Sequence, residues 1–305
     1  MQEPGRGLVV AVVGMTATGK SDLALDLAEA LGGEVVNADA MQLYRGMDVG
    51  TAKLTVAERR GVPHHQLDVL DVTEEARVAA YQRAAREDLA AVAARGNRAL
   101  LVGGSGLYVR AALDHLEFPG TDPQVRAELE RRAETEGRRA LHDELDRLDP
   151  VAAARIDPRN ARRVIRALEV IAVTGRPFSA ALPEHVYAVP AVQLAIDVPR
   201  PELDGRIARR AAAMMAGGLV EETEGLLGRG LAEGVTARRA VGYAQAMDVL
   251  AGRLTREEAT GDITVATRQL ARRQEKWFRR DPRIHWLAPG PRADVLAAAL
   301  RTLGP

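Results

Sequence analysis

A parallel α/β sheet interrupted by an all-helical insertion is predicted by three observations. Short apolar, often β-branched runs at 8–13, 34–37 and 98–102 alternate with segments of helical period over the first 116 residues. Glycine or polar turns follow each run, as strand-to-helix crossovers require. Only helical periods appear between about residues 121 and 175, and a strand-like run returns at 191–197.

Each element has its own reason. The run 8–13 (LVVAVV) is continuous and apolar, the pattern of a strand buried on both faces. In 22–31, Leu23, Leu27, Ala30 and Leu31 keep helical spacing until Gly32 and Gly33 stop it. Residues 45–72 carry no period and read as a long functional loop. A helix is expected over 74–95, ending at Gly96, and another over 107–113 after the glycines of 103–106. The insertion reads as helices 123–136, Arg138–Leu148 and 158–174, the first with Pro123 near its start and the last capped by Asp157. Helices 201–216, Leu219–Leu227, 238–250 and 256–280 follow, the last opened by a Thr255/Glu258 capping box. A final strand at Ile284–Leu287 and a helix at Arg292–Leu303 close the chain. The expected organisation is 1–116 as the first part of the core, 117–189 as the insertion, and 190–305 as core completion with basic C-terminal helices.

Composition narrows the function classes. The 305 residues carry 42 basic and 42 acidic side chains, for a formal net charge of zero. With no cysteine there is no disulfide, thiolate zinc site or thiol nucleophile. No apolar run approaches the ~18 residues needed to span a bilayer, and residues 1–7 (MQEPGRG) show no basic-then-apolar leader. A cytoplasmic protein with no membrane association is expected. Neutrality, on its face, argues against a nucleic-acid partner. Only Lys20, Lys53 and Lys276 are lysines, so arginine is the background cation and a lysine is the more telling residue.

The strongest motif lies between the first strand and first helix. Gly14, Met15, Thr16, Ala17, Thr18, Gly19, Lys20 and Ser21 match G-x-x-x-x-G-K-[ST] in full. Glycines let the backbone wrap a phosphate chain with its amides inward, and the helix N-terminus adds partial positive charge. Lys20 supplies a cation and Ser21 a hydroxyl for Mg²⁺. This makes the sheet P-loop NTPase-like. It specifies a polyphosphate without saying which, so an ATPase, a small-molecule kinase or an enzyme of pyrophosphate esters all fit. No N-K-x-D guanine-reading motif is present.

Two further residues fall at the carboxyl ends of strands, where open α/β sheets bind ligands. Asp39 ends the second strand in NADAMQ, placed to act as general base, Mg²⁺ ligand or turn cap. Ser105 follows the third strand in LVGGSGLY, placed to orient a substrate or to cap the next helix.

The chain resembles the bacterial tRNA dimethylallyltransferases (isopentenyltransferases). The resemblance rests on GMTATGKS at 14–21, NADAMQLYRGMDVGTAK at 37–53, LVGGSGLYVRAAL at 101–113, DPVAAARIDPRNARRVIRALEV at 149–170, VGYAQ at 241–245 and ATRQLARRQEKWFR at 266–279. It implies transfer of a dimethylallyl group from dimethylallyl diphosphate to N6 of adenosine 37, beside the tRNA anticodon. By the same resemblance residues 14–21 cradle the donor diphosphate with Mg²⁺, and Asp39 takes the N6 proton. Asp39, Ala40, Met41 and Gln42 contact the adenine. Ser105 stands where the family often has threonine. Arg126, Arg162, Arg163, Val164, Ile165 and Arg166 match tRNA-touching positions. Arg206 and Arg210 match a stretch near the diphosphate. The implied partners are a tRNA anticodon stem-loop and the prenyl donor, with no obligatory protein partner, so a monomer is expected.

The chemistry is consistent with that. An allylic diphosphate ionises when its departing charge is stabilised, which the loop amides, Lys20, Mg²⁺ and an arginine all favour. An exocyclic adenine amine is a poor nucleophile and gains from a nearby base. The adenine must leave its stack to be reached. Arg268, Arg272, Lys276, Arg279 and Arg280 share one helical stripe, and 268–283 carries a local charge of +5. Residues 155–166 carry +4. Such stripes suit phosphate contacts, with Arg268, Arg272 and Lys276 the candidates for tRNA. His64 and His65 read as structural, Trp277 and Trp286 as core anchors, and Met214 and Met215 as packing. A P-loop kinase with a helical lid and an RNA-binding module with a structural P-loop are the competing readings.

Overall fold

The computed structural model describes residues 7–181 and 185–304; residues 1–6, read above for a leader, lie outside them. The described residues divide into two units. One comprises the chain up to Asp114 together with everything from Tyr187 onward; the other is His115–Val186.

The first unit is built on a six-stranded sheet. Its strands are β1 (Val9–Val13), β2 (Gly33–Asn37), β3 (His64–His65), β4 (Arg98–Gly103), β5 (Ala191–Ile196) and β6 (Ile284–Leu287). The spatial order is β3-β2-β4-β1-β5-β6, and every pairing is parallel. Val13 pairs with Gly103 and Asn37 with Val102, so β1, β2 and β4 end level with one another. That register brings the three loops singled out in the sequence to one edge. Gly103 is required there, because a β-carbon would stand 2.2 Å from the Ala38 backbone.

Helices α1 (Lys20–Leu31), α2 (Val78–Ala94) and α3 (Gly106–Leu113) connect the first strands. After the insertion come α8 (Arg200–Ala216), α9 (Leu219–Leu227), α10 (Tyr243–Leu250), α11 (Arg256–Phe278) and α12 (Arg292–Leu303). One apolar cluster packs α1, α8 and α12 on the sheet through Leu23, Leu27, Leu194, Leu203 and Ile207. A second cluster joins α8–α11 to the 41–72 loop, with Tyr44, Met47, Leu219 and Tyr243 fully buried.

The second unit is all helix: α4 (Pro123–Thr135), α5 (Arg138–Leu148), α6 (Pro150–Ala153) and α7 (Ala161–Thr174) around Leu141, Leu145, Val164 and Leu168. Tyr187, Ala188 and Val189, expected in the insertion, belong with the core. Tyr187 bridges Asp114, and the amides of Ala188 and Val189 both donate to the Leu113 carbonyl.

Other differences have local causes. The helix expected from 74 starts at Val78, because the Tyr44 hydroxyl donates to Glu74 O and accepts from Ala76 N, holding 74–76 out of the helix. The helix expected from 158 starts at Ala161, capped by Asn160 and not Asp157, whose carboxylate instead binds Arg159. The helix expected from 238 starts at Tyr243, since Gly242 sits at φ +98°. The 45–72 stretch contributes the two-residue β3. The Thr255/Glu258 box caps α11 as read from the sequence.

Candidate active site at the carboxyl edge of the sheet

The phosphate loop links β1 to α1 through Gly14 and Gly19, at φ +120° and +91°. The Thr18 hydroxyl donates to Met15 O at 3.0 Å, and Lys20 Nζ donates to the same carbonyl. Burial holds the Lys20 ammonium down to about 8; the Arg210 charge adds to this, and Asp39 opposes it. Ser21, in the first turn of α1, is exposed.

Arg210 of α8 comes to this loop. Its Nη1 reaches Thr16 Oγ1 at 3.5 Å and its Nη2 donates to Thr51 O at 3.2 Å. Burial pushes its pKa below the usual guanidinium value, against the pull of Asp39. Arg206, one turn earlier, donates to Thr18 O at 3.4 Å and pairs with Glu202. Both arginines therefore stand at the phosphate loop.

Asp39 is held in a tight turn. Its amide donates to Asn37 Oδ1 and its Oδ1 accepts the Met41 amide, each at 2.9 Å. Ser105 ties this turn to the β4 loop: its hydroxyl accepts the Ala40 amide at 3.1 Å, and its amide donates to Ala38 O. It makes no side-chain cap to α3. Gln42 turns inward, its Nε2 donating to Thr51 O at 3.2 Å.

Thr16, Asp39, Thr51 and Arg210 share a cavity of about 120 Å³. The rest of its wall is largely apolar, including Ile207, Met214, Ile263 and Leu270. Met214, expected only to pack, therefore lines the cavity, whereas Met215 is buried in the core.

Four residues emerge here that the sequence did not single out. Gln274 of α11 accepts the Thr16 amide at 2.9 Å and donates to Gly104 O at 3.0 Å. Buried Lys53 binds Asp48 and Asp68 at 2.6 Å each, closing the long loop. Glu222 and Tyr243 anchor residues 48–50 from the other side. Lys53 had a signal as one of three lysines, and Tyr243 and Gln274 lie in the 241–245 and 266–279 blocks; Glu222 had none.

The basic stripe of α11 lies elsewhere. Ile263, Thr267, Leu270 and Gln274 face the cavity, and at 100° per residue Arg268, Arg272 and Lys276 point to the opposite side. Arg272 and Lys276 are exposed, whereas Arg268 donates to Asp204 O at 3.3 Å. Trp277, expected in the core, is 36% exposed and lies against Gly106. Trp286 is partly buried under the Arg279 guanidinium, 3.7 Å from its ring centre.

In the helical unit Arg162 and Arg163 are exposed. Arg126 and Arg166 both bind fully buried Glu169, at 2.6 and 2.8 Å. Burial alone would raise the Glu169 carboxyl, and the two guanidiniums more than reverse it. Val164 and Ile165, expected among tRNA-touching residues, are 1% and 8% exposed in that unit's core, so their side chains face no ligand. His64 and His65 bind Val62 O and Glu34, a structural use. Among the described residues, no group of three or more His, Asp or Glu side chains could hold a metal, and no helix is long and apolar enough to cross a membrane.

Comparison with known proteins fits this site. The sequence model of a family described as IPP transferase matches residues 42–281. A tRNA dimethylallyltransferase from Streptomyces coelicolor is 59% identical over 92% of this chain and 90% of its own length. One from Kineococcus radiotolerans is 58% identical over 97% and 95%. The crystal structure of a tRNA isopentenylpyrophosphate transferase from Bacillus halodurans superposes with a TM-score of 0.71 at 38% identity, covering 98% of this chain and 96% of that one. Spanning nearly the full length of these relatives, with a phosphate loop and a carboxylate on one cavity, the chain belongs to the IPP transferase family.

Proposed function

We propose that this chain transfers the dimethylallyl group of dimethylallyl diphosphate to N6 of adenosine 37 in tRNA, releasing diphosphate and leaving N6-isopentenyladenosine. The observation that carries the reading is the shared cavity. Its polar end is Thr16 of the phosphate loop with Arg210, its reactive side is Asp39, and its remaining wall is largely apolar, with Thr51, Thr267 and Gln274 the polar exceptions. A branched five-carbon chain suits that wall; a ribose, which needs hydrogen-bonding partners, does not. Relatives named tRNA dimethylallyltransferase support a dimethylallyl group as cargo and tRNA as acceptor.

In this mechanism the loop amides, Lys20 and Arg210 bind the diphosphate and take up its growing charge as the allylic C–O bond breaks. Arg206 supports the outer side of the loop. The adenine N6 attacks the allylic carbon, and its proton passes to Asp39, whose turn is fixed by Asn37, Met41 and Ser105. Gln42, Met41 and Ala40 flank the base that must be flipped to reach this point.

The residues present suit a magnesium ion bound mainly through its substrate, which the Ser21 hydroxyl and the Asp39 carboxylate would hold. When bound there, the ion would supply positive charge to the leaving diphosphate. The reaction is proposed to take place in the cytoplasm. The exposed arginines 162 and 163, with Arg272 and Lys276, are candidates for phosphate contacts along the RNA. The protein is proposed to act as a monomer.

The test is to incubate the protein with dimethylallyl diphosphate, Mg²⁺ and unmodified tRNA, then digest to nucleosides. N6-isopentenyladenosine is expected. Its absence, with ATP consumed on a small acceptor in a parallel reaction, would instead establish a kinase.

A further inference from the structure

The long loop after β2 is built around an anion that the protein supplies itself. The amides of Asp48, Val49 and Gly50 converge on the Glu222 carboxylate at 3.1, 2.8 and 3.3 Å. Consecutive inward-pointing amides are the geometry that otherwise binds an anionic ligand. Here α9 fills the nest from within. Tyr243 adds its hydroxyl at 2.5 Å. Its ring packs so tightly on Gly50 that a β-carbon there would stand 2.4 Å away. Burial, reinforced by the Glu222 carboxylate, raises the Tyr243 hydroxyl well above its ordinary value, so it stays a donor.

The next residue carries the consequence. Thr51 is fixed by its own hydroxyl, which donates to Met47 O at 2.6 Å. Its carbonyl then has one direction, and it accepts both Gln42 Nε2 and Arg210 Nη2 at 3.2 Å. Among the described residues Arg210 has no carboxylate in ion-pair contact, so a backbone carbonyl orients this buried cation. Such an arrangement leaves the guanidinium with Asp39 acting on it only through space, and with no direct ion pair, until a diphosphate arrives.

We infer that Glu222 is a positioning residue for the transfer: by holding the 48–50 amides it aims the Thr51 carbonyl, and through it the Arg210 guanidinium, at the donor's diphosphate. This rests on the cavity being the donor site. Because Gln42 shares the Thr51 carbonyl, the same anchor links the diphosphate end of the cavity to the turn that carries Asp39.

Glu222→Gln separates positioning from simple stapling. The variant keeps the size of the side chain but turns an amide NH₂ toward a set of N–H donors. Inorganic pyrophosphate binding, read by calorimetry, is expected to weaken about tenfold, and KM for dimethylallyl diphosphate to rise in parallel. The Kd for tRNA is expected to stay within twofold. In an Arg210→Ala background the Glu222→Gln change should add little, since both act through one guanidinium. A folded Glu222→Gln protein with unchanged pyrophosphate affinity, or a loss fully additive with Arg210→Ala, overturns the inference. If Glu222→Gln does not fold, Tyr243→Phe decides. It removes one of four donors and is expected to weaken pyrophosphate binding a few-fold; no change would overturn the proposal. Wild-type protein that binds pyrophosphate yet prenylates no tRNA would refute the donor reading separately, with the Arg210 linkage still measured by the pyrophosphate titrations.

Discussion

The Gln274 carboxamide accepts the Thr16 amide at 2.9 Å, joining α11 to the phosphate loop across 258 residues of chain. Its other end holds Gly104 O, so one side chain spaces the β1 and β4 loops. Gln274→Glu puts a negative charge beside the phosphate loop and deletes the bond to Gly104. Pyrophosphate affinity should fall by about tenfold or more, measured by calorimetry at low salt. An unchanged affinity would remove Gln274 from the donor site.

Asp39→Asn keeps an Oδ1 to accept the Met41 amide, so the turn survives while the carboxylate is lost. Single-turnover transfer should slow by roughly 10²- to 10⁴-fold, with tRNA affinity by filter binding unchanged. Near-wild-type transfer would rule out Asp39 as the proton acceptor.

Lys20 gives a pH signature. Held down to about 8 by burial, it is cationic below that pH and neutral above it in the unliganded protein. Pyrophosphate affinity should therefore drop as pH rises through 8, and Lys20→Arg should flatten the profile between pH 7 and 9.5. The stability effect has the opposite sense. The unfolded chain binds the extra proton between about 8 and 10.5, so this group's contribution to stability rises with pH across that window.

Because Arg272 and Lys276 project away from the cavity, replacing both with alanine should act on RNA alone. The slope of log K against log salt for tRNA should fall by about 2 in magnitude, while KM for the donor holds. A change in donor KM with an unaltered salt slope would contradict that assignment.

Arg283 binds both oxygens of fully buried Asp114, at 2.8 and 3.1 Å, and covers the Tyr187 ring at 4.0 Å. Arg283→Met strips one guanidinium from a buried carboxylate. About 3–5 kcal/mol of stability should be lost in urea unfolding, since a buried charge loses a partner.

The phosphate loop, the Asp39 turn and the Ser105 loop were legible in the sequence because each is a local pattern at a strand's carboxyl end. Parallel register then brings them together without further instruction. What was not legible is what fixes them. Gln274 lies within the 266–279 block and Glu222 in no motif, but the partners they hold are 258 and 172–174 residues away, and no local pattern names those partners. The two-residue β3 is too short to show a period. Tyr44 overrides the helical pattern of 74–77 by binding its backbone, which is tertiary context prevailing over propensity. Charge patterning showed that a basic face exists, but its direction emerged only when Ile263, Leu270 and Gln274 were placed against the cavity.

The bridge between Asp114 and Tyr187 gives the chain a natural splice point. Both ends of the helical excursion leave from one pair of neighbouring backbone positions, so a short reverse turn can close the gap. The sheet unit is then a holder: a helical excursion of different length can be exchanged at that single junction while the phosphate loop, the Asp39 turn and their anchors stay in frame. The length and sequence of the excursion are thereby uncoupled from the loops that build the cavity.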